Sequence, residues 1–134
     1  MAVVDASVYV ALLNSNEPGH ARSWAWLQKT QEDQEPIHAP VILLAEVAAA
    51  ISRGTGDSTL AHRAVQGLVR TGVIQLVPVT LPLARRAAAI ACEHRIRGCD
   101  ALYVALADQM EDCLVTLDRQ QVERGKAIIT VTEP

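Results

Sequence analysis

Four carboxylates stand out for where they fall. Asp5 directly follows the apolar run "AVV", and Glu46 is the one charge in "APVILLAEVAAAIS". Asp100 comes immediately after Gly98-Cys99, and Asp118 directly follows "CLVTL". Carboxylate oxygens are hard donors of the kind Mg²⁺ and Mn²⁺ prefer, and magnesium sites combine a few carboxylates with water and substrate phosphate. Like charges brought together raise one another's pKa unless a cation neutralises them. Gathered in one place, these four acids call for a divalent cation. Such an ion lowers the pKa of a bound water and stabilises charge on a phosphodiester in transition.

Each acid also has a plainer reading. Asp5, Asp100 and Asp118 precede stretches with helical spacing, where aspartate commonly serves as an N-cap. Glu46 has no such role, because it lies within a helical pattern. Its same-face neighbours at three and four residues, Ile42, Leu43, Ala49 and Ala50, offer no cation. A buried charge without a partner is costly enough to demand a counter-ion, a proton or a metal. The plain alternative is a reach to Arg53 or to an arginine of another helix. No basic residue adjoins Glu46 or Asp100, which favours a metal over an ion pair, and Arg119 beside Asp118 is the exception.

The elements that must position these acids alternate. "AVV" predicts a short apolar strand, "SVYVALLN" a helix and "GHARSWAWLQKTQ" a second, amphipathic helix. An extended piece near Ile37-His38 leads into a helix opened by Pro40, a favoured first helical position. "DSTLAHRAVQGLVRTG" predicts a helix capped by Asp57 and stopped by Gly72. "IQLVPV" follows as a strand, and "LPLARRAAAIACEHRIRG" as a helix ending at Gly98. Then come the helix "DALYVALADQM", the buried strand "CLVTL", the short helix "RQQVERG" and the strand "AIITV". Apolar strands alternating with helices predict an α/β fold, a three-layer α/β/α sandwich with a mostly parallel central sheet. In a parallel sheet all strands end on one edge, where ligands bind, so Asp5 and Asp118 are expected on the same rim.

The 134 residues are expected to form a single domain, 1–134, large enough for a hydrophobic core. No apolar run approaches the roughly 18 residues that suggest a bilayer span. The start "MAVVDASVYV" lacks the basic region of a signal peptide. Cys92, Cys99 and Cys113 match no zinc-ligand spacing, and a reducing, cytoplasmic location is expected. The formal charge of −3 argues against a general polyanion-binding surface, although ten of the twelve cations are arginine, suited to forked contacts with phosphate. With two Tyr, two Trp and no Phe, a base-stacking platform is not expected. Trp24 and Trp26, two residues apart, cannot share a helix face, so one is expected in the core and one exposed. Cys99 is expected to be a small buried residue.

At "VVDASVYVALL", "LLAEVAAAI", "GCDALYVALA" and "LVTLDRQ", in that order from Val3 to Gln121, the chain resembles the PIN-domain ribonucleases, in particular the VapC toxins of bacterial toxin–antitoxin pairs. The resemblance implies a PIN-like sandwich and a metal-dependent endoribonuclease site. By motif match, Asp5 and Asp100 are the core ligands of Mg²⁺ (or Mn²⁺), and Glu46 and Asp118 complete the site. Ser7 and Thr116 match small hydroxyl positions that support it. The implied reaction is hydrolysis of an RNA phosphodiester, leaving a 5′-phosphate and a 3′-hydroxyl. Arg85, Arg86, Arg95, Arg97 and Arg119 are the candidates for gripping RNA, each with a solvated helix face as its plain alternative. A cognate antitoxin and a homodimer are implied as partners. After Asp118 the chain runs "RQQ", without the further acids that some relatives carry there. Two other functions fit the same pattern of elements: a non-catalytic or non-toxin PIN-fold binding module, and a phospho-acceptor domain using Asp5. The second lacks an acid-x-acid after the first strand and has only Lys29 and Lys126 as lysines.

Overall fold

Short apolar runs too brief to be helices become strands, and longer patterned stretches become the helices between them. A computed structural model describes residues 1–134. In chain order the elements are β1 (Ala2–Val4), α1 (Ala6–Leu13), α2 (His20–Glu32), β2 (Ile37–Pro40), α3 (Leu43–Thr55), α4 (Ser58–Thr71), β3 (Ile74–Val77), α5 (Leu81–His94), α6 (Gly98–Met110), β4 (Cys113–Val115), α7 (Arg119–Gly125) and β5 (Val131–Thr132). All pairings are parallel, and the strand order is β3-β2-β1-β4-β5. β1 and β4, at the centre, are apolar throughout because helices cover both faces; Val3 and Val4 of β1 and Leu114 and Val115 of β4 are almost wholly buried.

The chain steps outward from β1 through β2 to β3, then crosses back to place β4 on the other side of β1. Right-handed crossovers therefore put α1 to α4 on one face and α5 to α7 on the other. This is the three-layer α/β/α arrangement expected from the sequence. The reversal of direction falls between β1 and β4. In open parallel sheets, that switch point at the carboxyl ends of the strands is where a crevice forms.

Two helix boundaries differ from expectation. Pro40 does not open a helix: it ends β2, paired with Val77 of β3, and the Val41 N–H donates to the Val77 carbonyl at 2.9 Å. The extended preference of the residue before a proline holds Ala39 in the strand, and α3 begins only at Leu43. The helix expected to run to Gly98 stops at His94, where Arg95 takes a left-handed conformation (φ 55°, ψ 37°). Gly98 instead opens α6, so Asp100 lies in the first turn of that helix rather than at its N-cap. Elsewhere the capping residues behave as expected: the Asp57 side chain accepts from the Leu60 N–H, and Gly72 ends α4 at φ 61°.

Candidate active site

Each of the four acids sits at the beginning of a helix. Asp5 is the N-cap of α1 and Asp118 the N-cap of α7, while Glu46 and Asp100 lie in the first turns of α3 and α6. Helix N-termini carry partial positive charge, which favours a carboxylate at each position. Because α1, α3 and α7 follow β1, β2 and β4, their starts line the carboxyl edge of the sheet. Contacts from α6 to α7 bring Asp100 there as well.

Asp5 is the best-anchored of the four. Its Oδ1 accepts from the Ser7 hydroxyl at 2.5 Å and the Ser7 N–H at 3.1 Å, and its Oδ2 accepts from the Thr116 hydroxyl at 2.7 Å. Thr116 Oγ1 in turn accepts the Asp118 N–H at 3.0 Å, and Ser7 Oγ accepts the Leu117 N–H at 2.9 Å. Two hydroxyls from residues more than a hundred positions apart thus lock the turn after β4 to the turn after β1.

Glu46 finds its partner on another helix: the hydroxyl of Tyr103, a fully buried residue of α6, donates to Glu46 Oε2 at 2.6 Å. Asp100 Oδ1 accepts from the Gln121 side-chain amide at 2.9 Å, and its Oδ2 accepts from Arg97 Nε at 2.9 Å. The same guanidinium reaches Asp118 Oδ2 at 3.1 Å, while Asp118 Oδ1 caps α7 through the Gln120 and Gln121 N–H groups.

Burial and mutual repulsion leave their mark on protonation. Burial pushes the Asp5 carboxyl up to about 6; the Ser7 and Thr116 hydroxyls oppose this and the Asp100 charge adds to it. Glu46 is raised for the same leading reason, with Tyr103 opposing and Asp100 again adding. Tyr103, desolvated and facing Glu46, is raised far above the ordinary tyrosine range and stays a donor. Asp100 is thus felt at both Asp5 and Glu46, which places the three acids in one electrostatic neighbourhood.

A family model for the PIN domain matches residues 2–127. This chain belongs to the PIN domain family. No curated protein sequence matches it significantly. Its fold is similar to that of VapC20 from Mycobacterium tuberculosis, described as a sarcin–ricin loop cleaving toxin (TM-score 0.77, 19% identity, all of both chains covered). It is also similar to FitAcB from Neisseria gonorrhoeae (TM-score 0.75, 22% identity, 100% of this chain and 98% of that one). A third likeness is to VapBC2 from Rickettsia felis, solved bound to a DNA fragment from their promoter (TM-score 0.71, 14% identity, 99% and 98% covered). At these identities the likeness is one of fold.

Several side chains of this PIN domain are not where the sequence suggests. Glu46 is met by a tyrosine hydroxyl rather than by Arg53 or an arginine of another helix. Arg97, a candidate for gripping RNA, is drawn onto Asp100 and Asp118. Arg86 is paired with Asp108 at 2.9 Å, whereas Arg85, Arg95 and Arg119 are exposed. Cys99 is exposed rather than buried. Trp24 and Trp26 divide as expected: Trp24 is exposed while its indole N–H donates to the Leu12 carbonyl, and Trp26 packs against the core. Tyr103 and Gln121 were missed as site residues. The signal for Gln121 was a polar residue on the inward side of a short helix; for Tyr103 it was a hydroxyl one turn beyond Asp100.

As the side chains stand, no three His, Cys, Asp or Glu groups are gathered tightly enough to hold an ion. Arg97 does for Asp100 and Asp118 part of what a cation would do, an ion pair that the absence of basic residues beside Asp100 did not suggest. The donor chemistry nevertheless fits Mg²⁺ or Mn²⁺. The oxygens are hard and negatively charged, and two of the acids are raised by burial. The amide of Gln121 donates to Asp100, and its oxygen is buried with no hydrogen-bond donor.

Proposed function

We propose that this chain is a metal-dependent endoribonuclease acting as the toxin of a toxin–antitoxin pair, built as a single PIN domain over residues 1–134. The observation that carries the reading is that four carboxylates begin helices at one edge of the sheet, with Asp100 felt at both Asp5 and Glu46, Arg97 bridging Asp100 to Asp118, and Asp5 desolvated enough to be pushed up to about 6. Repelling acids kept together at a ligand-binding edge stabilise the protein less than they serve a bound cation. The toxin reading is supported by solved relatives described as a sarcin–ricin loop cleaving toxin and as a toxin–antitoxin complex.

Asp5, Glu46, Asp100 and Asp118 would hold Mg²⁺ or Mn²⁺. The cation supplies an activated water and charge stabilisation at the phosphodiester. Ser7 and Thr116 fix both oxygens of Asp5, and Tyr103 fixes one oxygen of Glu46 and keeps it from turning away. The buried surroundings of Asp5 keep bulk water from screening its charge. Exposed Arg85, Arg95 and Arg119 supply the grip on RNA phosphate that the acids themselves would repel. The partners in this reading are an RNA substrate, a cognate antitoxin and a second copy of the chain. No helix is long and apolar enough to cross a membrane, and the proposed location is the cytoplasm.

The test is cleavage of a total-RNA pool with Mg²⁺ or with EDTA, followed by end mapping, for wild type, Asp5→Asn and Asp100→Asn. Cleavage by wild type in Mg²⁺ alone, leaving 5′-phosphates, is the expected result. Equal cleavage and equal growth arrest by both variants would overturn the site, and cleavage undiminished in EDTA would overturn the metal. Light scattering on the purified protein tests the homodimer.

A further inference from the structure

Gln121 is out of place for a structural side chain. It is 2% exposed, on α7, and its amide oxygen Oε1 is buried with no hydrogen-bond donor. The amide nitrogen is well used, donating to Asp100 Oδ1 at 2.9 Å. That contact fixes which end of the amide is which, because turning it over would set Oε1 against the Asp100 carboxylate, an acceptor against an acceptor. Gln121 is tied to a second acid through its backbone, whose N–H lies 3.4 Å from Asp118 Oδ1. One residue therefore spans two of the four carboxylates, while the oxygen of the amide that meets Asp100 stays buried and unpartnered. A buried acceptor without a donor is uncommon enough in folded proteins to require a reason. An apolar residue of similar volume would fill the space without that cost.

We infer that Gln121 is a positioning residue of the cation site: its amide nitrogen holds Asp100 in its ligating orientation. This rests on the metal-dependent reading above and deepens it. Residues that orient ligands by hydrogen bonds hold the metal indirectly, and losing one typically weakens metal affinity roughly tenfold to a hundredfold. The "RQQ" that follows Asp118 thus supplies a neutral amide where further acids were absent. The amide holds the Asp100 carboxylate by a hydrogen bond and brings no charge of its own to it.

The experiment is Mn²⁺ titration of the full chain, followed by electron paramagnetic resonance of the free ion, with thermal melts and RNA cleavage measured in parallel. The variants are Asp100→Asn, Gln121→Leu, Gln121→Asn and Gln121→His. Gln121→Leu is expected to bind Mn²⁺ roughly tenfold to a hundredfold more weakly, and its kcat to recover when Mn²⁺ is raised, with KM for RNA unchanged. Gln121→Asn is shorter by a methylene and is expected to behave likewise. Gln121→His offers an N–H to Asp100 and a second nitrogen as acceptor, and is expected to retain most of the affinity. A packing role alone would lower the melting temperature of Gln121→Leu and leave its Mn²⁺ affinity unchanged; that result overturns the assignment. Should Gln121→Leu fail to fold, equal affinities for Gln121→Asn and Gln121→His overturn it instead. Wild type that takes up no Mn²⁺ overturns the metal-dependent reading and this inference together. Wild-type uptake that Asp100→Asn abolishes and no Gln121 variant alters overturns this inference alone.

Discussion

Replacing Asp5 with Asn in metal-free protein is expected to stabilise it at neutral pH. Asp5 is 4% exposed, and burial lifts its carboxyl from 3.8 to about 6 in spite of two hydroxyl donors. A folded-state pKa above the unfolded one means that the folded protein binds this proton more tightly. The group's contribution to stability is therefore full below pH 3.8 and is lost as the pH rises through about 6. Over that span the loss amounts to about 3 kcal/mol, since each tenfold step in the acid constant is worth about 1.4 kcal/mol. Asn keeps the shape without the charge. Its oxygen can still accept from Ser7, but its amide nitrogen cannot accept from the Thr116 hydroxyl, a loss of about 1 kcal/mol. The net expectation is a gain of about 2 kcal/mol for Asp5→Asn at about pH 7.5 in EDTA, shrinking and then reversing toward pH 4. Urea denaturation followed by circular dichroism at both pH values measures it. Adding Mg²⁺ at neutral pH is expected to stabilise wild type and leave Asp5→Asn unmoved. A variant less stable than wild type in EDTA by the same amount at both pH values would refute the reasoning, because Asp5 would then be a contented carboxylate rather than a strained one.

Three further perturbations follow from the same contacts. Thr116→Val removes both the donor to Asp5 and the acceptor for the Asp118 N–H, and should cost about 1–3 kcal/mol in urea denaturation, with Thr116→Ser restoring most of it. Tyr103→Phe strips Glu46 of its donor; a loss of about 1 kcal/mol in urea denaturation is expected, together with a slower cleavage rate because Glu46 is freed to turn. Arg97→Ala leaves Asp100 and Asp118 to repel each other, so its melting temperature should fall in EDTA and be recovered by Mg²⁺; a deficit unaffected by Mg²⁺ would mean that Arg97 does not stand where a cation can replace it.

Much of the fold is written in local pattern. The brief apolar runs at Val3-Val4 and Leu114-Val115, Asp57 before a helix and Gly72 after it are signals that a few neighbouring residues decide, and they fall where expected. The boundaries at Pro40 and Arg95 were misread because local preference lost to longer-range pairing and burial. Pro40 is held in the sheet by β3, thirty-seven residues on, and the chain leaves α5 early to bury Ile96 before α6. The four acids were legible because each follows, precedes or interrupts an apolar run. Sequence could also say that Asp5 and Asp118 end up on the same edge, since parallel strands all finish there. It could not say that β1 and β4 are neighbours, because strand order depends on which way each crossover runs. Nor could it assign partners. Tyr103 lies fifty-seven residues from Glu46, Thr116 lies 111 from Asp5, and Gln121 lies twenty-one from Asp100. Those pairings exist only once α3, α6 and α7 have been packed around the same strand ends, because a hydrogen bond is decided to within a fraction of an ångström and no periodicity carries that precision.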